Sequence, residues 1–407
     1  MQESFLHYIW QFQYFDKTDL ATTQGETLQI IRPGIHNTNA GPDFSEAKVR
    51  IGLMSWAGNV EIHISSSEWE SHRHHLDHAY DSVVLHVVWT DDKPVKLHDG
   101  SLLPTLALKG KVDTQLLTRY RKLMSTSFVI PCARQFAHVP SIVKLGMLDR
   151  VLVERLEEKS QSVIQLLEYN NSDWEETTYQ LLARNFGFKV NSYPFFQLSK
   201  GLPYKLLCRH ADSPKHVEAM LFGQAGFLDE ASGDSRHRML RREYQVLATK
   251  YNLQDHKLSA SQWKFLRLRP ANFPTVRLSQ FAVLICEQKN LFSRIIELDD
   301  HKAAYQLFEA GKIGESSINN IIINSVAPLL TAYGRRQGDT SFVARAQKML
   351  ESAPTENNRI LRSWLALGID VKNAFDSQAL IQLFNSYCVP RRCLDCAIGA
   401  CLLKPDQ

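Results

Sequence analysis

Apolar and polar positions alternate differently along the two ends of this chain. Phe5, Leu6, Ile9, Trp10 and Phe12 recur at helical spacing, with Glu3, His7 and Trp10 on a neighbouring stripe. Residues 27–31 read as a strand, and Pro33-Gly34 and the stretch from Asn39 to Pro42 read as turns. From Ala47 to Leu53 the period is two, with Ala47, Val49 and Ile51 facing one way and Lys48 and Arg50 the other. A turn is expected around Ser55 to Gly58. After it Val60, Ile62 and Ile64 share one face, and Glu61 and His63 the other. The His-rich connection from Trp69 to Tyr80 has room for a short helix. Residues 82–89 (SVVLHVVW) read as a strand buried on both faces except at His86.

From about Val112 the pattern turns helical. The clearest run is 142–169, with a 3.6-residue period in LDRVLVERLEEKSQSVIQLL. Further helices are expected over 174–186, 214–222, 240–251, 275–288, 290–297, 302–310, 318–333, 341–351, 358–367 and 377–387. The expected organisation is α+β: an α/β domain over 1–110, then a large all-helical domain over 111–407.

Composition narrows the class without naming a chemistry. The 407 residues are 44% hydrophobic and 22% charged, as in ordinary globular proteins. No apolar run approaches the roughly 20 residues that cross a bilayer, so no membrane association is expected. The N-terminus lacks a basic region and a small-residue cleavage site, and seven Cys is an odd number. Reduced thiols in the cytoplasm are therefore expected rather than a disulfide framework.

The stretch from Gly41 to Trp89 holds the most chemistry. Asp43 stands at the mouth of one strand and Glu61 in the next, with His63 on the same sheet face as Glu61. Two such carboxylates can converge on one divalent cation, and hard oxygen ligands suit Mg²⁺ or Mn²⁺. This order of elements resembles the PD-(D/E)xK nuclease superfamily. The resemblance implies a restriction-endonuclease-like fold and metal-dependent cleavage of phosphodiester bonds in nucleic acid. It makes Asp43 and Glu61 metal ligands, together with the Ile62 carbonyl, and gives Glu3 the place of a third carboxylate. The sequence departs from that family at its lysine, where His63 stands. Lys48, on the polar face of the preceding strand, can supply the missing cation. The bland reading of the same stretch is a hairpin whose polar face is merely solvated. Across its length the chain is similar to the domain-of-unknown-function family 2851, through NTNAGPDFSEAKV, GNVEIHISSSEW, DSVVLHVVW, EAMLFGQAGFL, FLRLRPANFPTVRLSQFA and NAFDSQALIQLFNSYC.

Three further features stand out. His72, His74, His75 and His78 crowd together near Asp77, so that His72 or His74 can add a metal ligand or carry a proton beside Asp43 and Glu61; a polar helix cap is the plain alternative. Cys388, Cys393, Cys396 and Cys401 give C-x4-C-x2-C-x4-C, which suits an Fe–S cluster or Zn²⁺, although buried thiols also serve as small hydrophobes. Some members of the nuclease superfamily join one early and three late cysteines, which would give Cys132 the early place. Between Arg236 and Arg277 stand ten Lys or Arg and two acids, +8 locally against +4 for the chain. There Lys264, Arg267, Arg269 and Arg277 interleave with Trp263 in a manner suited to nucleic acid, or to a loop pinned by internal ion pairs. GQAGFL lacks the Lys-Ser/Thr of a P-loop, and no GxSxG or HExxH occurs. The expected function is a Mg/Mn nuclease. The alternatives are an inactive nuclease fold that binds nucleic acid or a protein partner, and a helical scaffold with a C-terminal metal staple.

Overall fold

The structure, a computed structural model, describes residues 1–230 and 233–404. The chain is mixed α+β and divides into two compact units. One comprises Met1–Met147 and Phe384–Gln407, the other Leu148–Leu383. The boundary expected near residue 110 falls inside the first unit. That unit continues past its sheet and takes back the C-terminal segment.

The first unit is built on strands β1 (Leu28–Arg32), β2 (Ile35–His36), β3 (Phe44–Ile51), β4 (Met54–Ser65), β5 (Val83–Thr90) and β6 (Thr105–Ala107). Their order is β1-β3-β4-β5-β6, with β2 also paired to β3. The β1–β3 and β3–β4 pairs are antiparallel, and β4–β5 and β5–β6 are parallel. A parallel pair needs a crossover, and residues 66–82 supply it with helix α2 (Glu68–Ser71) and the short 3-10 turns His74–Leu76 and His78–Tyr80.

Helix α1 (Glu3–Phe12) buries Phe5, Leu6, Ile9 and Trp10, as its spacing predicts, but it buries Tyr8 where Phe12 was expected, and Phe12 is exposed. Trp10 Nε1 donates to Pro33 O at 2.9 Å, which fixes the chain between the helix and the sheet. The β3–β4 turn comes earlier than expected. Ile51 pairs Met54, so residues 55–58 already lie in β4. Gly52 turns the chain at φ +57°, a conformation that glycine adopts without steric cost.

One irregularity in β3 governs the site. Phe44 pairs Val60 and Ala47 pairs Gly58, so Ser45 and Glu46 together oppose Asn59 as a β-bulge. Glu46 takes φ +57° there. The extra residue keeps Phe44 in step with Ala47, Val49 and Ile51 on the buried face. It leaves Asp43, one position earlier, beside Glu61.

The second unit has no strand among its described residues. Its elements include most of α4 (Ser141–Tyr169), after α3 (Thr114–Ser125) of the first unit, and α5 (Trp174–Phe186). The helix expected over 318–333 is broken by a π-helical stretch, Ile322–Val326. No helix among the described residues is long and apolar enough to cross a membrane.

Candidate metal centre

The two carboxylates are interlocked. Ile62 N donates to Asp43 Oδ2 at 2.9 Å, and Asp43 N donates to Glu61 Oε2 at 3.0 Å. Asp43 thus sits across the strand boundary from Glu61, held by the backbone of β4. Glu61 is 4% exposed and His63 is fully buried, so the polar face of β4 is not a solvated hairpin face.

Imidazoles surround the pair. His7 Nε2, on α1, stands 3.2 Å from Asp43 Oδ2 and 3.6 Å from Glu3 Oε1. His74 Nε2 is 3.3 Å and His63 Nε2 3.7 Å from Glu61 Oε1. His63 continues into a chain of rings. Its Nδ1 meets Nε2 of the buried His86 at 2.9 Å, and its Nε2 meets Nδ1 of the exposed His72 at 3.1 Å. Tyr80 stacks on His74 with ring centres 3.8 Å apart. Among the described residues, three sets of potential ligand atoms gather within 4.8 Å: those of His63, His72 and His74, those of Glu3, His7 and Asp43, and those of the exposed His78, Asp81 and His98.

The electrostatics split these groups apart. Burial, helped by the neighbouring Asp43, pushes the Glu61 carboxyl above its usual range, against the pull of His74. Burial, with His86 adding to it, drops His63 to about 3, and burial likewise drops His86 to about 3. Both rings are neutral at pH 7 and offer lone pairs. His7 goes the other way: burial opposes its charge, but Asp43 and Glu3 outweigh that and raise it to about 9. A charged imidazole therefore sits between two carboxylates. His86 Nδ1 is buried without a hydrogen-bond partner.

Clustered carboxylates and neutral imidazoles can hold a divalent cation. The donor set is richer in nitrogen than an all-oxygen Mg²⁺ site, and it leans toward Mn²⁺, Fe²⁺ or Zn²⁺. The candidate ligands lie in two groups, His63, His72 and His74 in one and Glu3, His7 and Asp43 in the other, with Glu61 reaching His74, His63 and the Asp43 backbone. Lys48 does not join them. It is exposed and pairs Ala57, four residues before Glu61, or about 13 Å along a strand. His7 and His86 are members that the sequence reading did not assign. Their signals were present: His7 lies four residues after Glu3, and His86 is the one ionisable position in SVVLHVVW.

The other predicted groups lie as follows. Cys388, Cys393 and Cys396 are buried, whereas Cys401 is half-buried beside Tyr8, whose hydroxyl donates to Ala400 O at 3.2 Å. In the second unit, Trp263 is 4% exposed and donates to Ala225 O at 2.9 Å. Arg277 is 5% exposed; it donates to Gln280, Asn272 and Ser317 and lies over the Phe188 ring. Lys264, Arg267 and Arg269 are exposed. The basic segment therefore presents three of its five named residues, and its tryptophan and Arg277 are spent on internal packing.

A family model described as "Protein of unknown function (DUF2851)" matches residues 3–312 and again 308–359. The chain belongs to that family. No curated protein and no solved structure matches it.

Proposed function

We propose that the first unit is a metal-dependent hydrolase centre that cleaves phosphodiester bonds of nucleic acid. The observation that carries this reading is the convergence of Asp43 and Glu61, one bonded to the backbone of the other's strand. Asp43 and Glu61 would hold the cation, with Glu3 and the imidazoles of His63, His72 and His74 as further donors. The cation would activate water and neutralise charge on the phosphate. The helix α1 before a sheet in which Asp43 leads into β3 and Glu61 lies in β4 supports the resemblance to PD-(D/E)xK nucleases. His7, raised to about 9, brings a positive charge that His63 lacks. Exposed Lys264, Arg267 and Arg269 suit contact with a phosphate backbone.

A second reading follows from one observation. His63 stands where that superfamily has its lysine, and burial keeps it neutral. A nuclease fold without a charged group there can bind nucleic acid without cutting it. One experiment separates the two: single- and double-stranded DNA and RNA are incubated with wild type, Asp43→Asn and Glu61→Gln, with Mn²⁺, Mg²⁺ or Zn²⁺. Metal-dependent cleavage lost in both variants supports the enzyme. Salt-sensitive binding without turnover supports the inactive fold. Cleavage that survives in both variants overturns the assignment of the site.

A further inference from the structure

Four buried sulfurs meet in the first unit, and they are not the four nearest in sequence. Cys132 is 8% exposed, Cys388 7%, Cys393 6% and Cys396 7%. Each of these thiols lies within electrostatic reach of the other three. Separate pieces of chain deliver them. Cys132 sits in a turn after α3, where its carbonyl accepts from Gln135 N at 2.9 Å. Cys388 ends a π-helical stretch, Phe384–Cys388, and its carbonyl accepts from Arg391 N at 3.2 Å. Cys393 lies in the following loop, and Cys396 is the residue before the terminal helix Ala397–Leu403.

That arrangement is anchored. Arg391 donates to the carbonyls of Met124 and Thr126, at 3.1 and 2.6 Å, tying the C-terminal loop to the segment just before Cys132. Ala397 N points at the Met147 sulfur from 3.4 Å. A Cβ on Gly399 would come within 2.1 Å of Cys393 O, so the terminal helix lies directly against the cysteine loop. Cys401 follows Cys396 by five residues, about 140° round a helix, and it lies beside Tyr8 instead.

We propose that Cys132, Cys388, Cys393 and Cys396 ligate an iron–sulfur cluster that staples the end of the chain to the turn after α3. All four carry thiols in this structure. They do not suit nucleophilic work, since burial pushes Cys132 and Cys393 up to about 12. Ionised together in an apolar pocket, four sulfurs would repel one another, and a cationic guest removes that cost. On binding, each thiol gives its proton to solvent and its sulfur lone pair to iron. Spacing selects the guest. Four sulfurs around a single zinc stand about 3.8 Å apart at Zn–S distances of about 2.3 Å. Among the described residues, no three of these sulfurs lie within 4.8 Å of one another. A cluster bound at its corners by four thiolates is wider.

The test needs no knowledge of the substrate. The full chain is made in iron-supplemented cells and purified without oxygen; iron, acid-labile sulfide, zinc and the visible spectrum are then measured. The proposal expects about four iron and four sulfide per chain with broad visible absorbance. It expects loss of iron in Cys132→Ser and Cys393→Ser, with wild-type iron in Cys401→Ser and Cys286→Ser. Alkylation of the folded wild type keeps the test valid where a variant does not fold. Cys132, Cys388, Cys393 and Cys396 should be protected together and released together by a chelator with oxidant. Iron-free protein, one zinc per chain instead of iron, or equal loss in Cys401→Ser and Cys132→Ser each overturns the proposal.

Discussion

Each unit contains a cluster of buried polar groups, and the two clusters are built on opposite terms. In the second unit, Lys159 and Arg155 on α4 face neutral amides. Lys159 Nζ donates to Asn324 Oδ1 at 2.7 Å, and Arg155 Nε donates to Gln378 Oε1 at 2.5 Å. Burial, with Arg155 nearby, drops Lys159 to about 7. In the first unit the acids and imidazoles shift in both directions, and each cluster keeps one unpartnered buried nitrogen, His86 Nδ1 in the first and Gln382 Nε2 in the second. Both clusters perturb titration strongly, so a shifted pKa alone does not separate a working site from a structural one. What differs is composition: the first cluster sets acids against imidazoles, whereas the second sets cations against amides.

Substitutions in the two clusters should therefore trade effects. The largest change is expected from Glu61→Gln: a loss of metal-dependent cleavage greater than the roughly 10–100-fold typical of a ligand's supporting partner, with the melting temperature kept. A matching loss of thermal stability would move Glu61 into the structural class. Gln378→Ala should do the reverse. It strips an acceptor from both Arg155 and Lys159 and should lower unfolding stability by about 2–3 kcal/mol in denaturant titrations, at unchanged specific activity.

The pH response sharpens the contrast further. Lys159 has a folded-state pKa of about 7, below its ordinary 10.5. Between these values the unfolded chain binds more protons than the folded one, so this group makes stability rise with pH. Its contribution is complete above 10.5 and is lost as pH falls through 7. Lys159→Met should flatten that slope, as read by chemical denaturation at a series of pH values. The smallest effect is expected from Lys48→Ala, which lies far along the strand from Glu61 and should leave cleavage within about 2-fold. A 10-fold loss would return Lys48 to the site.

Much of this was legible in the sequence because single elements obey local rules. Glu3–Phe12 and Trp174–Phe186 have the expected bounds, and α4 begins one residue early. Alternation in β3 and β4 put Glu61 and His63 on one face before any coordinates were needed. What stayed hidden depends on contacts distant in sequence. β6 has three residues and carries no periodic signal of its own. Arg277 reads as part of a basic strip, but Asn272, Gln280 and Ser317 draw it inward. Spacing favoured Cys401 as the fourth thiol of its group, whereas the geometry gathers Cys132 instead. No local pattern announces that the last residues of the chain return to the first unit.

The bulge at Ser45 and Glu46 makes the centre a matter of counting. Strand positions have parity, and one additional residue reverses it for everything upstream. With one residue fewer, Phe44 would turn outward, and the Asp43 carboxyl would be driven among Val49, Val60 and Ile62. The meeting of the two acids is thus encoded less by their identity than by the even count of eight residues between Asp43 and the hairpin turn at Gly52.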